Sequence, residues 1–311
     1  MNALLYVISY VSILVFLVAC IFRALSYART PMHLRWELYP VPHEAPGRAS
    51  YGGSYYEEPE WWTKPSPRNY LGELKSMTAE ILFLKALWEF NRKLWYRSFP
   101  FHFGLYLLIF SVFVLLISGL ASIISPVFMK GVIGIFLLSL YRFTGAVGIV
   151  LSIWGALGLL VMRITDPKMK YYTTPGDIFN LVFFIAAFGT LAAGFLAGAS
   201  EASGMLAFTS GLLRFDTGIE TSGLLTTGLI LTGLLVAYIP LTHMSHFIAK
   251  YFTYHNIRWD DSANRRGGKI EIRLAECLAY RPTWSANHMG ADGKKTWAEI
   301  AASNPGQEPK K

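Results

Sequence analysis

The chain of 311 residues is 53% hydrophobic and only 15% charged. Soluble domains carry about 25% charged residues, so this composition is typical of a protein that is largely embedded in a membrane. The net charge of +8 does not indicate a nucleic-acid surface, because the basic residues are spread over three polar regions instead of one folded module. We therefore expect no nucleic-acid partner.

Five apolar stretches are long enough to cross a bilayer, which takes about 20 residues. Backbone amides in lipid must find their hydrogen bonds within the segment, so these stretches are predicted to be helices. The predicted fold class is an all-α membrane protein with a bundle of five transmembrane helices. The predicted spans are 3–22, 99–124, 141–162, 178–199 and 221–247.

The distribution of charge predicts the orientation of these spans. All but three of the 28 Lys and Arg residues lie in 23–97, 163–170 and 250–311, regions that five crossings put on one side. The positive-inside rule makes that side the cytoplasm. We expect a multi-pass protein of the cytoplasmic membrane with its N-terminus outside. Its predicted parts are an uncleaved first helix at 1–22, a cytoplasmic loop at 23–98, a core of four spans at 99–249 and a cytoplasmic tail at 250–311.

The long loop has two parts of different character. Residues 32–67 are rich in Pro, Gly, Tyr and Trp, which indicates an irregular loop packed against a partner. Residues 69–97 have apolar side chains at helical spacing and predict an amphipathic helix, either at the membrane interface or packed on a partner protein. Ser98 is the predicted N-cap of the second span, with Pro100 in its first turn.

The region of the third span is too long for one perpendicular crossing. We predict a separate interfacial piece at 127–139 before the span at 141–162, and a short outer loop at 200–220. Glycines at 145, 148, 155 and 158 suit the close approach of either another helix or a flat macrocycle.

Three histidines lie in or near apolar segments, where a histidine marks a functional site by default. His102 begins the second span, and His243 and His246 end the fifth, so all three share one depth. Two imidazoles on facing helices are the axial ligands of a bis-histidine haem b. Residues three apart on a helix differ by about 60° around its axis, so only one of His243 and His246 points at His102. Cys20 and Cys277 lack a CxxC partner, and no iron–sulfur cluster is expected on this chain.

Short motifs around these histidines resemble a known family. FHFGLY (101–106), TTPGDIFNLVFF (173–184) and PLTHMSHF (240–247) resemble the gamma subunit of respiratory nitrate reductases. The resemblance puts His246 on a haem-ligand position, so His102 and His246 are the expected ligands of the haem iron, with His243 as the alternative. The second histidine pair of that family is replaced by Val112 and Gly228, so we expect one haem b.

Two further motifs are more specific. MHLRWELYPVPHE (32–44) and PTWSANHMGADGKKTWAE (282–299) resemble the DsrM family, the haem b membrane subunits of DsrMKJOP complexes in dissimilatory sulfur metabolism. This resemblance implies menaquinone as a substrate, a DsrK-like cytoplasmic iron–sulfur subunit as a partner, and the other subunits of a DsrMKJOP-like complex. The chain is then an electron-transfer subunit of a quinone-linked oxidoreductase. The loop 32–67 and the tail 258–299 are the predicted docking platform for the iron–sulfur subunit.

Other interpretations remain open at this point. Lys130, between the second and third spans, can hydrogen-bond a quinone carbonyl or simply anchor the chain at the interface. A haem-free membrane anchor for soluble redox subunits would need no histidine pair. A transporter would place charges at the midplane, where only Arg142 qualifies, and it lies near a helix end.

Overall fold

A computed structural model describes residues 2–30, 41–44, 54–65, 67–197, 201–218, 221 and 223–303. Regular structure in these residues is almost entirely helical, with one small antiparallel hairpin of β1 (Ser285–Ala286) and β2 (Ala291–Asp292). The helices in chain order are α1 (Asn2–Arg29), α2 (Tyr70–Leu82), α3 (Lys85–Phe90), α4 (Arg92–Ile124), α5 (Val132–Thr165), α6 (Pro167–Tyr171), α7 (Pro175–Ala197), α8 (Glu201–Arg214), α9 (Gly223–Tyr238), α10 (His246–Thr253), α11 (Lys269–Leu278) and α12 (Trp297–Ala302).

Five of these helices are long and apolar enough to cross a membrane: α1, α4, α5, α7 and α9. The predicted helical fold with five candidate spans is therefore confirmed, and the chain is a multi-pass membrane protein.

The chain divides into two compact units. The first, here called the membrane unit, consists of Met1–Ile21 and Leu74–Ser245. The second unit consists of Phe22–Glu73 and His246–Lys311. The first unit contains the apolar core, to which α1, α4, α5, α7, α8 and α9 all contribute buried side chains.

The second span begins earlier than predicted. Its N-cap is Asn91, whose side-chain oxygen accepts a hydrogen bond from the Leu94 amide at 3.1 Å. The predicted N-cap Ser98 is wrong, because Ser98 and Pro100 lie inside α4. The predicted amphipathic helix 69–97 is accordingly divided into α2, α3 and the first turns of α4, with Leu84 in the left-handed region (φ 51°) between α2 and α3.

The third span is one continuous helix, and the predicted separate piece at 127–139 is wrong. Helix α5 has 34 residues, a length of about 51 Å at 1.5 Å per residue. Gly131 precedes it in an extended conformation, and no proline interrupts it. Helix α5 is therefore longer than the apolar core of a bilayer is thick, because its sequence contains no proline that would end it earlier.

The predicted outer loop 200–220 contains helix α8. Its Ser210 hydroxyl lies 2.8 Å from that of Ser122 on α4, and its Phe208 is buried against Tyr6 of α1 at a ring distance of 5.1 Å. Helix α8 is thus held by packing within the membrane unit.

The α-helix of the fifth span ends at Tyr238 and the span itself at Leu241, instead of continuing to 247. A 3-10 turn at Ile239–Leu241 contains Pro240, and a second 3-10 turn at His243–Ser245 precedes α10. Proline has no N–H for the helical hydrogen bond, which explains the break. The expected arrangement of His243 and His246 on one continuous helix is therefore wrong.

Close packing of α4 on α5 explains the glycines of the third span. A Cβ atom at Gly155 would lie 2.4 Å from the Phe101 amide nitrogen, and one at Gly148 would lie 2.9 Å from the Gly104 carbonyl oxygen. Helix packing therefore accounts for the absence of side chains at these positions.

Candidate functional site

His102 lies on α4 and is partly buried. Its Nδ1 is 2.8 Å from the carbonyl oxygen of Ser98, one turn earlier, and 3.2 Å from the Ser98 hydroxyl. A carbonyl oxygen only accepts hydrogen bonds, so Nδ1 carries the proton and donates it. The neutral ring then carries its lone pair on Nε2, and a backbone carbonyl that fixes the tautomer in this way is usual behind a metal-ligating histidine.

The surroundings of His102 are built by close contacts of neighbouring helices. Phe101 is buried and meets Phe184 of α7 edge to face at 5.0 Å. On the other side, the Phe101 backbone lies against Gly155 of α5. Helix α4 is therefore held at the level of His102 by both α5 and α7.

His243 lies in the same unit and is exposed. Its Nε2 is 3.4 Å from the Asn180 side-chain nitrogen and 3.5 Å from an Asp177 carboxylate oxygen. Tyr238 donates a hydrogen bond to the Asn180 side-chain oxygen at 3.0 Å, which orients the amide so that its NH2 faces His243. Because an NH2 group donates, Nε2 of His243 is the acceptor of this contact.

Asp177 links this polar cluster to the start of α7. Its carboxylate accepts hydrogen bonds from the amide and hydroxyl of Thr174, and its own amide donates to the Thr174 hydroxyl at 3.3 Å, a reciprocal capping box. The guanidinium of Arg163 on α5 is 3.5 Å from the same carboxylate. The motif TTPGD (173–177) therefore serves both to begin a helix and to hold a charged group beside His243.

The residues that surround the histidines were not predicted from the sequence. Asp177, Asn180, Arg163 and Tyr238 around His243, and Ser98 beside His102, were not expected in these roles. Two signals existed: the i,i+4 spacing of Ser98 and His102, and the Thr174–Asp177 spacing of a capping box.

His246 is the first residue of α10 and is exposed. It belongs to the second unit, whereas His102 and His243 belong to the membrane unit. The structure therefore brings His102 and His243 into one unit and leaves the predicted ligand His246 in the other.

Lys130 ends a 3-10 turn at Phe128–Lys130 between α4 and α5 and is exposed. It lies at the junction of the second and third spans, and its predicted contact with a quinone stays a prediction. Within the part of the chain that the structure describes, no side chain or carbonyl forms a hydrogen bond or ion pair with its ammonium group.

The second unit has a polar core of its own. Buried His43 has its Nε2 3.0 Å from Asp261, and Arg68 is 3.8 Å from the same carboxylate. Burial alone would raise the pKa of Asp261, but hydrogen bonds from His43 and Tyr55 and the charges of His43 and Arg68 outweigh it and hold that pKa below its usual value. Burial raises the pKa of the adjacent Asp260, and the Asp261 charge adds to this effect.

The tryptophans of the predicted docking platform differ in their surroundings. Trp259 is buried beside His43 and Tyr254. Trp62 and Trp284 are exposed, and Trp284 meets Trp297 edge to face at 5.6 Å. Trp36 lies outside the described residues.

The arrangement can be tested for its fit to the expected cofactor. The described residues contain no cluster of three or more His, Cys, Asp or Glu side chains suited to a bare metal ion. A bis-histidine haem instead needs two imidazoles, and the tautomer of His102 fits one of these positions.

None of the known family models and none of the curated proteins matches this chain.

Proposed function

We propose that this protein is a cytochrome b subunit that transfers electrons between menaquinone and a cytoplasmic iron–sulfur subunit. The observation that carries the proposal is His102: a partly buried imidazole in an apolar span, with Nδ1 hydrogen-bonded to the Ser98 carbonyl and Nε2 as its ligating nitrogen. A haem b supplies one-electron transfer when it is bound. The protein's part is to hold its axial imidazoles and exclude water around them.

We propose His246 as the second axial ligand. The other candidate, His243, has its Nε2 3.4 Å from the Asn180 side-chain nitrogen and 3.5 Å from an Asp177 carboxylate oxygen, contacts that ligation through Nε2 would displace. These contacts favour a supporting role for His243 in the polar cluster of Asp177, Asn180 and Arg163.

Helix packing supports one haem over two. The two positions at which the resembled family has further histidines are Val112 and Gly228. Gly228 lies against the backbone of α7, where a Cβ atom would be 2.7 Å from the Leu191 Cα, and Val112 is 55% exposed on α4. A side chain as large as histidine at 228 would push α7 and α9 apart.

The proposed topology follows from the charge distribution, with the N-terminus outside and both 23–98 and 250–311 in the cytoplasm. Menaquinone would then bind on the outer side near Lys130, and a DsrK-like subunit of a DsrMKJOP-like complex on the inner side. The exposed Trp62 and Trp284 support docking at that side, since tryptophan is enriched in the energetic centres of interfaces.

The test is a reduced-minus-oxidised spectrum of the purified chain. We expect a b-type Soret and α-band that is lost in His102→Ala and retained in His288→Ala, a control histidine exposed in the second unit. A purified wild-type chain without a b-type spectrum would favour the haem-free membrane anchor.

A further inference from the structure

Helix α2 has an unusual distribution of polar and apolar side chains. Leu71, Leu74, Ile81 and Leu82 fall within about 100° of one another around the helix axis. This apolar face points outward, with exposed fractions of 76% for Leu71, 63% for Leu74, 39% for Ile81 and 41% for Leu82. In a helix that packs on a protein in water, the apolar side chains are the buried ones.

The opposite side of α2 is the buried one, and it carries the acidic residues. Met77 and Glu80 are buried in the membrane unit, where the Glu80 carboxylate accepts a hydrogen bond from the Ala86 amide at 3.0 Å. Glu73, in the second unit, is paired with His255. In each unit, a polar contact thus lies on the side of α2 opposite its apolar face.

The end of α2 is fixed to the membrane-spanning helix α4. Tyr106 donates its hydroxyl to the Ile81 carbonyl at 2.7 Å, and the Trp95 indole donates to the Phe83 carbonyl at 2.8 Å. Both donors lie on α4 on either side of a stacked pair of aromatic rings, Phe99 and Phe103. The end of α2 is thus fixed to α4, a helix that is long and apolar enough to cross a membrane.

The charged residues near α2 also favour a lipid surface as the neighbour of its apolar face. Of the three acidic residues in 70–97, Glu73 and Glu80 are largely covered, and the exposed Glu89 lies 3.7 Å from Lys85. Lys75 and Arg92 are exposed as well, so the exposed charge of this segment is basic in balance. Exposed basic residues next to a membrane are attracted to an anionic lipid surface.

We propose that α2 is an in-plane membrane helix whose apolar face, formed by Leu71, Leu74, Ile81 and Leu82, inserts into the bilayer interface. The polar side holds the helix to the protein, and the apolar face holds this part of the chain at a fixed depth. Interfacial helices of this kind bury their apolar face by about 5–10 Å at the boundary of headgroups and acyl chains.

The test uses nitroxide labels on the full-length chain in nanodiscs that contain anionic lipid. Cys20 and Cys277, the two cysteines of the sequence, are first replaced by Ala. Labels are then placed singly at Leu74→Cys and Leu82→Cys. Val150→Cys, 65% exposed on α5, serves as the lipid control, and Lys168→Cys, exposed on α6, serves as the water control.

We expect the labels at 74 and 82 to collide preferentially with oxygen, which partitions into lipid, as the label at 150 does. The label at 168 should collide preferentially with a water-soluble nickel chelate. The proposal is overturned if the labels at 74 and 82 meet the nickel chelate as often as the label at 168. It is equally overturned if they are shielded from both reagents, because another protein surface would then cover the apolar face.

Discussion

At the scale of single residues, hydrogen bonds decide which imidazole nitrogen is suited to ligation. Ser98 fixes the proton of His102 on Nδ1, whereas Asn180 occupies Nε2 of His243. His102 and His243, which the sequence predicts at one membrane depth, therefore have different chemical roles. The sequence shows the imidazoles but not the carbonyl and amide groups that differentiate them.

We predict that His246→Ala abolishes the low-spin b-type spectrum and that His243→Ala leaves it. A bis-histidine iron that loses one axial imidazole changes its spin state, whereas loss of a supporting hydrogen bond does not remove a ligand. Optical and electron paramagnetic resonance spectra of the purified variants provide the measurement. The reverse result, with the spectrum lost only in His243→Ala, would make His243 the ligand.

A second residue-scale prediction concerns Asp261, which holds His43 and Arg68 in the second unit. Asp261→Asn should lower the local opening free energy by about 2 kcal/mol, less than a fully buried pair loses because Arg68 is half exposed. The amides of Glu44 and Asn69 report on this opening, since they donate to the Val41 and His43 carbonyls. Their hydrogen exchange should accelerate roughly thirtyfold.

The stabilisation by Asp261 depends on pH in a direction that its pKa determines. Because the folded pKa of Asp261 lies below its ordinary value of 3.8, its stabilisation is present above that value and is lost as the pH falls through the lower, folded pKa. The difference between wild type and Asp261→Asn should therefore persist at neutral pH. Asp292→Asn, an exposed carboxylate of the same unit, is the control, and equal exchange rates in both variants would contradict the prediction.

At the scale of helices, hydropathy predicts which segments span the membrane but not where helices end. The five spans were recognisable because about 20 apolar residues suffice to cross a bilayer. Their ends depend on local chemistry instead: the Asn91 cap, the absence of a break before residue 141, and Pro240. Helix α8 was missed because its helix-forming contacts come from α1 and α4, which are distant in sequence.

The contacts of the candidate site, like the ends of the helices, are only partly predictable from the sequence. His102 was found because a histidine in an apolar run is conspicuous. The contacts of His243 with Asp177 and Asn180 join residues more than 60 positions apart, and only the packing of α7 beside the turn after α9 brings them together.

Close packing of α4 on α5 yields a prediction at this scale. In Gly155→Ala the new Cβ would meet the Phe101 backbone, next to His102, so the two helices must separate. Overpacking of this kind costs about 1–3 kcal/mol. We expect a lower thermal midpoint and weaker haem retention in detergent. Gly189→Ala is the matched control, since its Cβ would have no neighbour within 4 Å; a similar midpoint in both variants would exclude the packing explanation.

At the scale of the whole molecule, the two units suggest a division of labour. The membrane unit contains His102 and the polar cluster around His243, and the second unit contains His246, the buried His43–Asp261 pair and the exposed tryptophans. The second unit draws on both the long loop and the tail, so residues separated by about 200 positions form one core. Removing the whole tail would therefore disturb the loop as well as any docking surface.

A shorter truncation separates these effects. A chain that ends after Tyr280 lacks the hairpin, α12 and the Trp284–Trp297 pair, but keeps both proposed axial ligands and the contacts of Asp261 with His43 and Arg68. We expect its b-type spectrum to be unchanged and its iron–sulfur partner to be released on solubilisation, because exposed tryptophans are typical energetic centres of interfaces. A chain that ends after Ser303 is the control and should retain the partner. Full co-purification of the partner with the chain that ends at Tyr280 would show that docking does not need the end of the tail.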